Sequence, residues 1–207
     1  MLIALNYLFK KYDIKPDGIL HLGASSGQER DSYKDLGVKN VIWVEAIPEV
    51  FNQLVENVKD IPGSVCINAC VYDKDDEEVE FKIANNEGQS SSILDFGHHA
   101  VIHPSVKYID SFKTKTKRVD TLLKDYRLEG RWMLNADLQG VELQAVIGMG
   151  ELIEKFDWIY AEVNFKECYR GGALVGELDE YLLTKGFVRR ETAPLVAETW
   201  TDAIYCR

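Results

Sequence analysis

Short apolar runs alternate with amphipathic stretches along this chain, and their periods predict its elements. Leu2, Leu5, Leu8 and Phe9 share one face of a helix within residues 1–14. After the turn Lys15-Pro16-Asp17-Gly18, Ile19-Leu20-His21-Leu22 is a short apolar run ending in a glycine. That is the pattern of a buried parallel strand feeding a loop. Gln28 to Leu36 has helical composition and stops at Gly37, and Asn40 to Ala46 reads as a second buried strand. Pro48 stands where a helix begins, with Phe51, Leu54, Val55 and Val58 on its apolar face. Ser64 to Ala69 supplies a third strand. Strand–helix units in such succession predict a doubly wound α/β sheet.

The middle of the chain is less regular. Glu78 to Ile83 alternates with period two, as a half-exposed strand does. Residues 85–110 show no clear period, and so long a segment in a compact domain is usually functional or mobile. Ser111 to Val119 alternates again and is expected to pair with the 78–83 strand. Asp120 is then expected to cap a short helix reaching Tyr126, followed by a strand over Trp132–Asp137 and a helix over Val141–Phe156. A strand over Trp158–Val163 and a helix over Leu174–Leu183, closed by Gly186, come next. Two alternating strands, Phe187–Glu191 and Thr199–Cys206, end the chain and suggest a hairpin at the sheet edge.

Composition narrows the function. With 34 acidic against 24 basic side chains the net charge is −10, which argues against a nucleic-acid partner and against attachment to anionic lipid. A hydrophobic fraction of 46% excludes disorder, and 207 residues suit one domain. Cys66, Cys70, Cys168 and Cys206 form no zinc-ligand or disulfide-scaffold spacing. The first residues lack the charged start and cleavage site of a leader, and no stretch approaches the ~20 apolar residues of a membrane span. The expected setting is the cytoplasm, with the oligomeric state open.

In a doubly wound sheet, ligands bind beyond the carboxyl ends of the strands. There this sequence places His21 and Gly23-Ala-Ser-Ser-Gly27, then Glu45, Asn68-Ala69, Asp137, and Glu162 with Asn164. Gly23 and Gly27 allow a tight turn and close approach to a ligand, but G-x-x-x-G is neither the dinucleotide fingerprint nor a P-loop. Glu45, at the end of the next strand, is placed to accept both hydroxyls of an adenosine ribose. Asp137, before the Gly140 turn, suits a cationic sulfonium better than a pyrophosphate.

Several motifs in order resemble the FkbM family of S-adenosylmethionine-dependent methyltransferases. Leu20–Gln28 is similar to the family's D-x-G-A-N-x-G motif, and Trp43–Pro48 to F-E-P-x-P. Ile67–Asp73, the serines at 90–92, Lys117–Leu122, Met133–Leu143 and Ile159–Val163 resemble the motifs that follow. The resemblance implies a Rossmann-like seven-stranded methyltransferase sheet with an antiparallel terminal strand. It also implies S-adenosyl-L-methionine as cofactor and methyl transfer to a hydroxyl of a sugar or another small acceptor. Carried over by position, His21, Gly23, Ser25 and Gln28 would line the methionine and ribose, and Glu45 with Ala46 the ribose. Asn68, Ala69 and Ser91 would border the adenine, and Asp137 would lie near the reacting methyl. His21, Ala46 and Gln139 stand where the family has an acid, a proline and a glutamate, so no acid/base role is expected of Gln139.

An alcohol acceptor needs a proton acceptor. Asp137 is the first choice, with His98 or His99 assisting, while Glu162, Asn164 and Tyr169 are expected to contact the acceptor. Residues 85–118 are expected to cover the active site. No metal is expected, although Asp137, Glu162 and Asn164 could hold a divalent cation. An NAD-dependent oxidoreductase and a non-catalytic adenosine-ligand module remain as alternatives.

Overall fold

The chain begins with helix α1 (Leu5–Lys11) and then alternates β1 (Gly18–Leu22), α2 (Arg30–Asp35), β2 (Val41–Glu45), α3 (Pro48–Val58) and β3 (Ser64–Asn68). A small second sheet interrupts this order with β4 (Cys70–Val71), β5 (Glu78–Ala84), the short helix α4 (His99–Ile102) and β6 (Tyr108–Lys117). After α5 (Val119–Leu122) come β7 (Trp132–Ala136), α6 (Glu142–Ile147), a 3-10 turn over Gly150–Lys155 and β8 (Phe156–Asn164). Helix α7 (Val175–Thr184) leads to the closing pair β9 (Val188–Thr192) and β10 (Trp200–Cys206). The structure is a computed structural model describing residues 1–207.

The main sheet has seven strands in the order β3-β2-β1-β7-β8-β10-β9. Strands β3 to β8 along that order run parallel, and β10 lies antiparallel to both of its neighbours. The expected seven-stranded sheet with a reversed terminal strand is therefore present. Its closing hairpin inserts β10 beside β8 and leaves β9 at the edge. Every residue of β1, β2 and β7 is buried, because helices cover both faces of a parallel sheet. Leu20, Leu22, Leu134 and Ile159 face α6 and α7, while Ile19, Trp43, Met133 and Tyr160 face α1, α2 and α3. The order reverses between β1 and β7, which creates a crevice beyond their carboxyl ends.

Several boundaries differ from the sequence expectation. Leu2 precedes α1 and is exposed, whereas Leu5, Leu8 and Phe9 are buried as expected. The long helix expected over Val141–Phe156 breaks after α6. Gly150 adopts φ +52°, and a side chain at Gly148 would collide with the Tyr72 carbonyl. Asp120 does not cap a helix but lies inside α5, where it pairs with Arg118 and accepts from the Thr121 amide. Strand β6 starts at Tyr108, earlier than expected, and does pair antiparallel with β5, Phe81 facing Phe112.

Leu134 sits fully buried in β7 between two parallel neighbours. Leu134→Ala should lower the unfolding free energy by about 2–5 kcal/mol. Urea denaturation checks this, and a loss below ~1 kcal/mol would contradict the packing described.

Candidate active site at the strand ends

The turn after β1 is built by backbone conformations that favour glycine. Gly23 and Gly27 adopt φ +75° and +79°, and a side chain at Gly23 would strike the Asp137 carbonyl. The amides of Gly23 and Ala24 both donate to the Val44 carbonyl, and the Asp137 amide donates to Leu22 at 3.1 Å. These bonds bring the ends of β1, β2 and β7 around one cavity of about 410 Å³, within the usual size of a small-molecule site.

One end of the cavity is organised by Glu45. Its Oε2 accepts the Ser25 amide at 2.9 Å and its Oε1 the Ile47 amide at 2.8 Å. Burial raises its pKa, opposed by these amides. Ala46, Ala69, Cys70, Val71, Gly88 and Ser91 continue this wall. Gly23, Ser25 and Gln28 also line the cavity. Asn68 does not: its side chain donates to the Glu45 and Ala46 carbonyls at 2.8 and 3.0 Å and braces the end of β2 from outside. The cause is that these two bonds hold its amide against the end of β2, although Asn68 lies in register with the cavity-lining Glu45.

The other end holds carboxylates. Asp137, Glu142 and Glu162 place oxygens within 4.8 Å of one another. The Gln139 amide donates to Asp137 Oδ1 and, at 3.2 Å, to Glu162 Oε2, while the Tyr169 hydroxyl donates to Gln139 Oε1. Glu142 accepts the amides of Leu138 and Gly140. Asp137 reaches the cavity space but is otherwise ringed by protein, so it is both accessible and poorly solvated. Burial raises the pKa values of all three. Asp202 and Glu29 add repulsion at Asp137, which reaches about 6, and Asp137 adds it at Glu142, which reaches about 7. Asp137, Glu142 and Asp202 add it at Glu162, which stands well above its usual range. These values belong to the cluster as a unit.

Residues from the irregular segment form the third wall. His99 is buried; its Nε2 pairs with Ser90 Oγ at 3.1 Å, and its ring stacks on Phe96 with centroids 4.5 Å apart. Burial lowers its pKa to about 4. His103 and Tyr169 line the same wall. His98 does not: it sits half-buried at the start of α4, outside the cavity. Asn164 is likewise corrected. It is buried in β8 beyond the cavity, and the residue grouped with Asp137 and Glu162 is Glu142 instead.

The sequence alone does not single out Glu142 or Asp202, and Gln139, of which no acid/base role is expected, serves as a hydrogen-bond donor to two carboxyl groups. An acid just after the Gln139-Gly140 turn was the available signal for Glu142. Its burial becomes evident only once the turn folds it back onto the Leu138 amide. Asp202 lies on β10 and accepts the Tyr160 hydroxyl at 2.5 Å, brought in by strand pairing alone.

The donor set suits a cationic adenosine ligand. Glu29, Glu45, Glu87, Asp137, Glu162 and Asp202 line the cavity, and no lysine or arginine does. A pyrophosphate would meet repulsion there, whereas a sulfonium and an ammonium would be stabilised.

Comparison with known proteins agrees. The family described as the methyltransferase FkbM domain matches residues 21–189. No curated protein matches the chain. Among solved structures, Aeropyrum pernix fibrillarin with natively bound S-adenosyl-L-methionine aligns with a TM-score of 0.54 at 15% identity. That alignment covers 92% of this chain and 66% of the fibrillarin, so the chain spans about two thirds of its length. Magnesium protoporphyrin IX methyltransferase from Synechocystis, with bound S-adenosyl-L-methionine, gives 0.53 at 8% identity over 98% of this chain and 76% of its own. A putative tRNA (m1A22) methyltransferase from Streptococcus pneumoniae gives 0.51 at 11% identity, over 100% and 73%. At such identities these likenesses establish the fold.

Acids whose pKa rises on folding hold protons that the unfolded chain has released, so stability falls as pH rises through the folded values. Between about pH 5 and 8 the wild-type unfolding free energy should decline more steeply than that of Glu162→Gln. Parallel curves in denaturant titrations across that range would contradict the buried cluster.

Proposed function

The chain belongs to the FkbM family of S-adenosylmethionine-dependent methyltransferases, and from that premise we propose that it methylates a hydroxyl of a sugar, glycan or similar small acceptor. The observation that carries this reading is the acidic cavity without a single lysine or arginine. Such a wall disfavours a phosphorylated acceptor and leaves a neutral one. Accordingly no nucleic-acid partner is proposed. No helix is long and apolar enough to cross a membrane.

When bound, S-adenosyl-L-methionine supplies an activated methyl group on a sulfonium. Glu45 would hold the ribose hydroxyls at the end of β2, and the turn at Gly23 and Ser25 would let backbone approach the ligand. Ala69 and Ser91 would border the adenine. The carboxylates at the ends of β7 and β8 counter the positive charge of the other half. Asp137, the most exposed of the trio, takes the acceptor proton. Its raised pKa brings it closer to that task than an ordinary aspartate. Tyr169, His99 and His103 wall the remaining space, where residues 85–118 would close over an acceptor. Alignment of acceptor and methyl is worth up to ~7–11 kcal/mol, more than the proton transfer itself.

The oxidoreductase alternative gains nothing from these walls, which hold no lysine or arginine for a pyrophosphate. Labelled S-adenosyl-L-methionine screened against a saccharide panel tests the acceptor class and separates an enzyme from a binding module. Glu45→Ala should weaken binding of S-adenosylhomocysteine by about 10–100-fold in calorimetry, from loss of charge-assisted hydrogen bonds worth about 1.5–3 kcal/mol. Asp137→Asn should lower kcat by about 10²–10⁴-fold with cofactor affinity nearly kept. Full turnover by that variant would remove Asp137 from the proton transfer.

A further inference from the structure

Between β1 and β7 the cavity wall holds His21, and the hydrogen bonds around it determine which ring nitrogen faces the ligand. The ring is buried, 5.5 Å from Trp43 and edge-on to Tyr33 at 5.9 Å between centroids. Asn135 Nδ2 donates to the Tyr33 hydroxyl oxygen at 2.7 Å. That leaves the phenol proton to point at His21 Nδ1, 3.2 Å away. Nδ1 is therefore the acceptor, and a neutral ring carries its proton on Nε2. Nε2 has no partner within the protein and opens on the cavity. Burial lowers the pKa of the ring to about 3, so it stays neutral at physiological pH.

A fixed N–H donor selects among the polar groups of a methionine tail. The sulfonium accepts no hydrogen bond, and the ammonium only donates. The carboxylate accepts, and no lysine or arginine lines this cavity to meet it; the one cation nearby is the N-terminal amino group of Met1, whose charge also reaches His21. Carboxylates that could take the ammonium stand nearby: Glu29, Asp137 and Asp202 line the same cavity. We propose that His21 reverses the polarity of this subsite, its Nε2–H donating to the carboxylate of the cofactor's methionine tail, with Tyr33 and Asn135 as the residues that position it. The assignment rests on the cofactor reading above and sharpens it: this chain recognises the acid end of the amino-acid tail where a carboxylate side chain would recognise the amine.

Calorimetry with two nucleosides separates these possibilities. S-adenosylhomocysteine carries the carboxylate, and its decarboxylated analogue keeps only the amine. His21→Ala should weaken the first by about tenfold or more and leave the second within about twofold. His21→Asp should bind the decarboxylated analogue in preference to S-adenosylhomocysteine. Retained binding of the analogue also shows that the variants are folded. Long-range ¹⁵N–¹H correlation spectra of the free protein should show His21 protonated at Nε2, with Tyr33→Phe loosening that preference. Equal losses for both nucleosides, or a ring protonated at Nδ1, would overturn the assignment alone. Binding of neither nucleoside to the wild-type protein would overturn the cofactor reading and the assignment with it.

Discussion

Strand β1 has parallel neighbours on both sides, so the chain can leave it only through a turn that stays clear of the ends of both. Gly23 makes that turn with φ +75° against the Asp137 carbonyl, where any Cβ would collide. The rest of the molecule's chemistry depends on this contact. The Asp137 amide is tied to Leu22, and the loop amides are tied to Val44. Glu45 then meets the Ser25 amide, and Asp137 projects into the same cavity from the other side. A larger residue at position 23 would separate the two halves of the site without touching either carboxylate.

The second constraint is electrostatic. In the carboxyl cluster Glu142 and Glu162 are buried while Asp137 opens on the cavity, and crowding and lost hydration carry costs that an ion pair usually offsets. Here neutral donors do so. Backbone amides serve Glu142, and the side-chain amide of Gln139 bridges Asp137 and Glu162. A glutamate at position 139 would add a further carboxyl group and remove both donated bonds. Gln139, one of three departures from the family pattern, thus bridges two carboxyl groups of the cluster without a cationic side chain. Its carbonyl also takes the Tyr169 hydroxyl, which couples the cluster to the wall facing the acceptor.

Much of the fold was legible because parallel strands covered on both faces are written as continuous apolar runs. Ile19–Leu22, Asn40–Ala46 and Trp132–Asp137 each located a strand to within about a residue. Legibility failed where glycine conformation overrode composition. The run Val141–Phe156 has helical periodicity throughout, yet Gly148 lies against the Tyr72 carbonyl and Gly150 turns left-handed, so the helix stops after α6. It failed again over residues 85–110, whose His99 owes its burial to Phe96 and Ser90 rather than to any local pattern.

The sequence by itself determined the sheet, the glycine turn and the positions of Glu45, Asp137 and Glu162 at strand ends. Period and spacing are local properties, and strand ends in this topology converge by rule. Only the tertiary structure decided which neighbours join them. Asp202 arrives through antiparallel pairing with β8, and Asn68 spends its side-chain amide on the Glu45 and Ala46 carbonyls instead of the cavity. The tautomer of His21 depends on Tyr33 and Asn135, which come from distant segments. Hydrogen-bond direction and desolvation depend on what surrounds a group in space, and the order of residues along the chain carries neither.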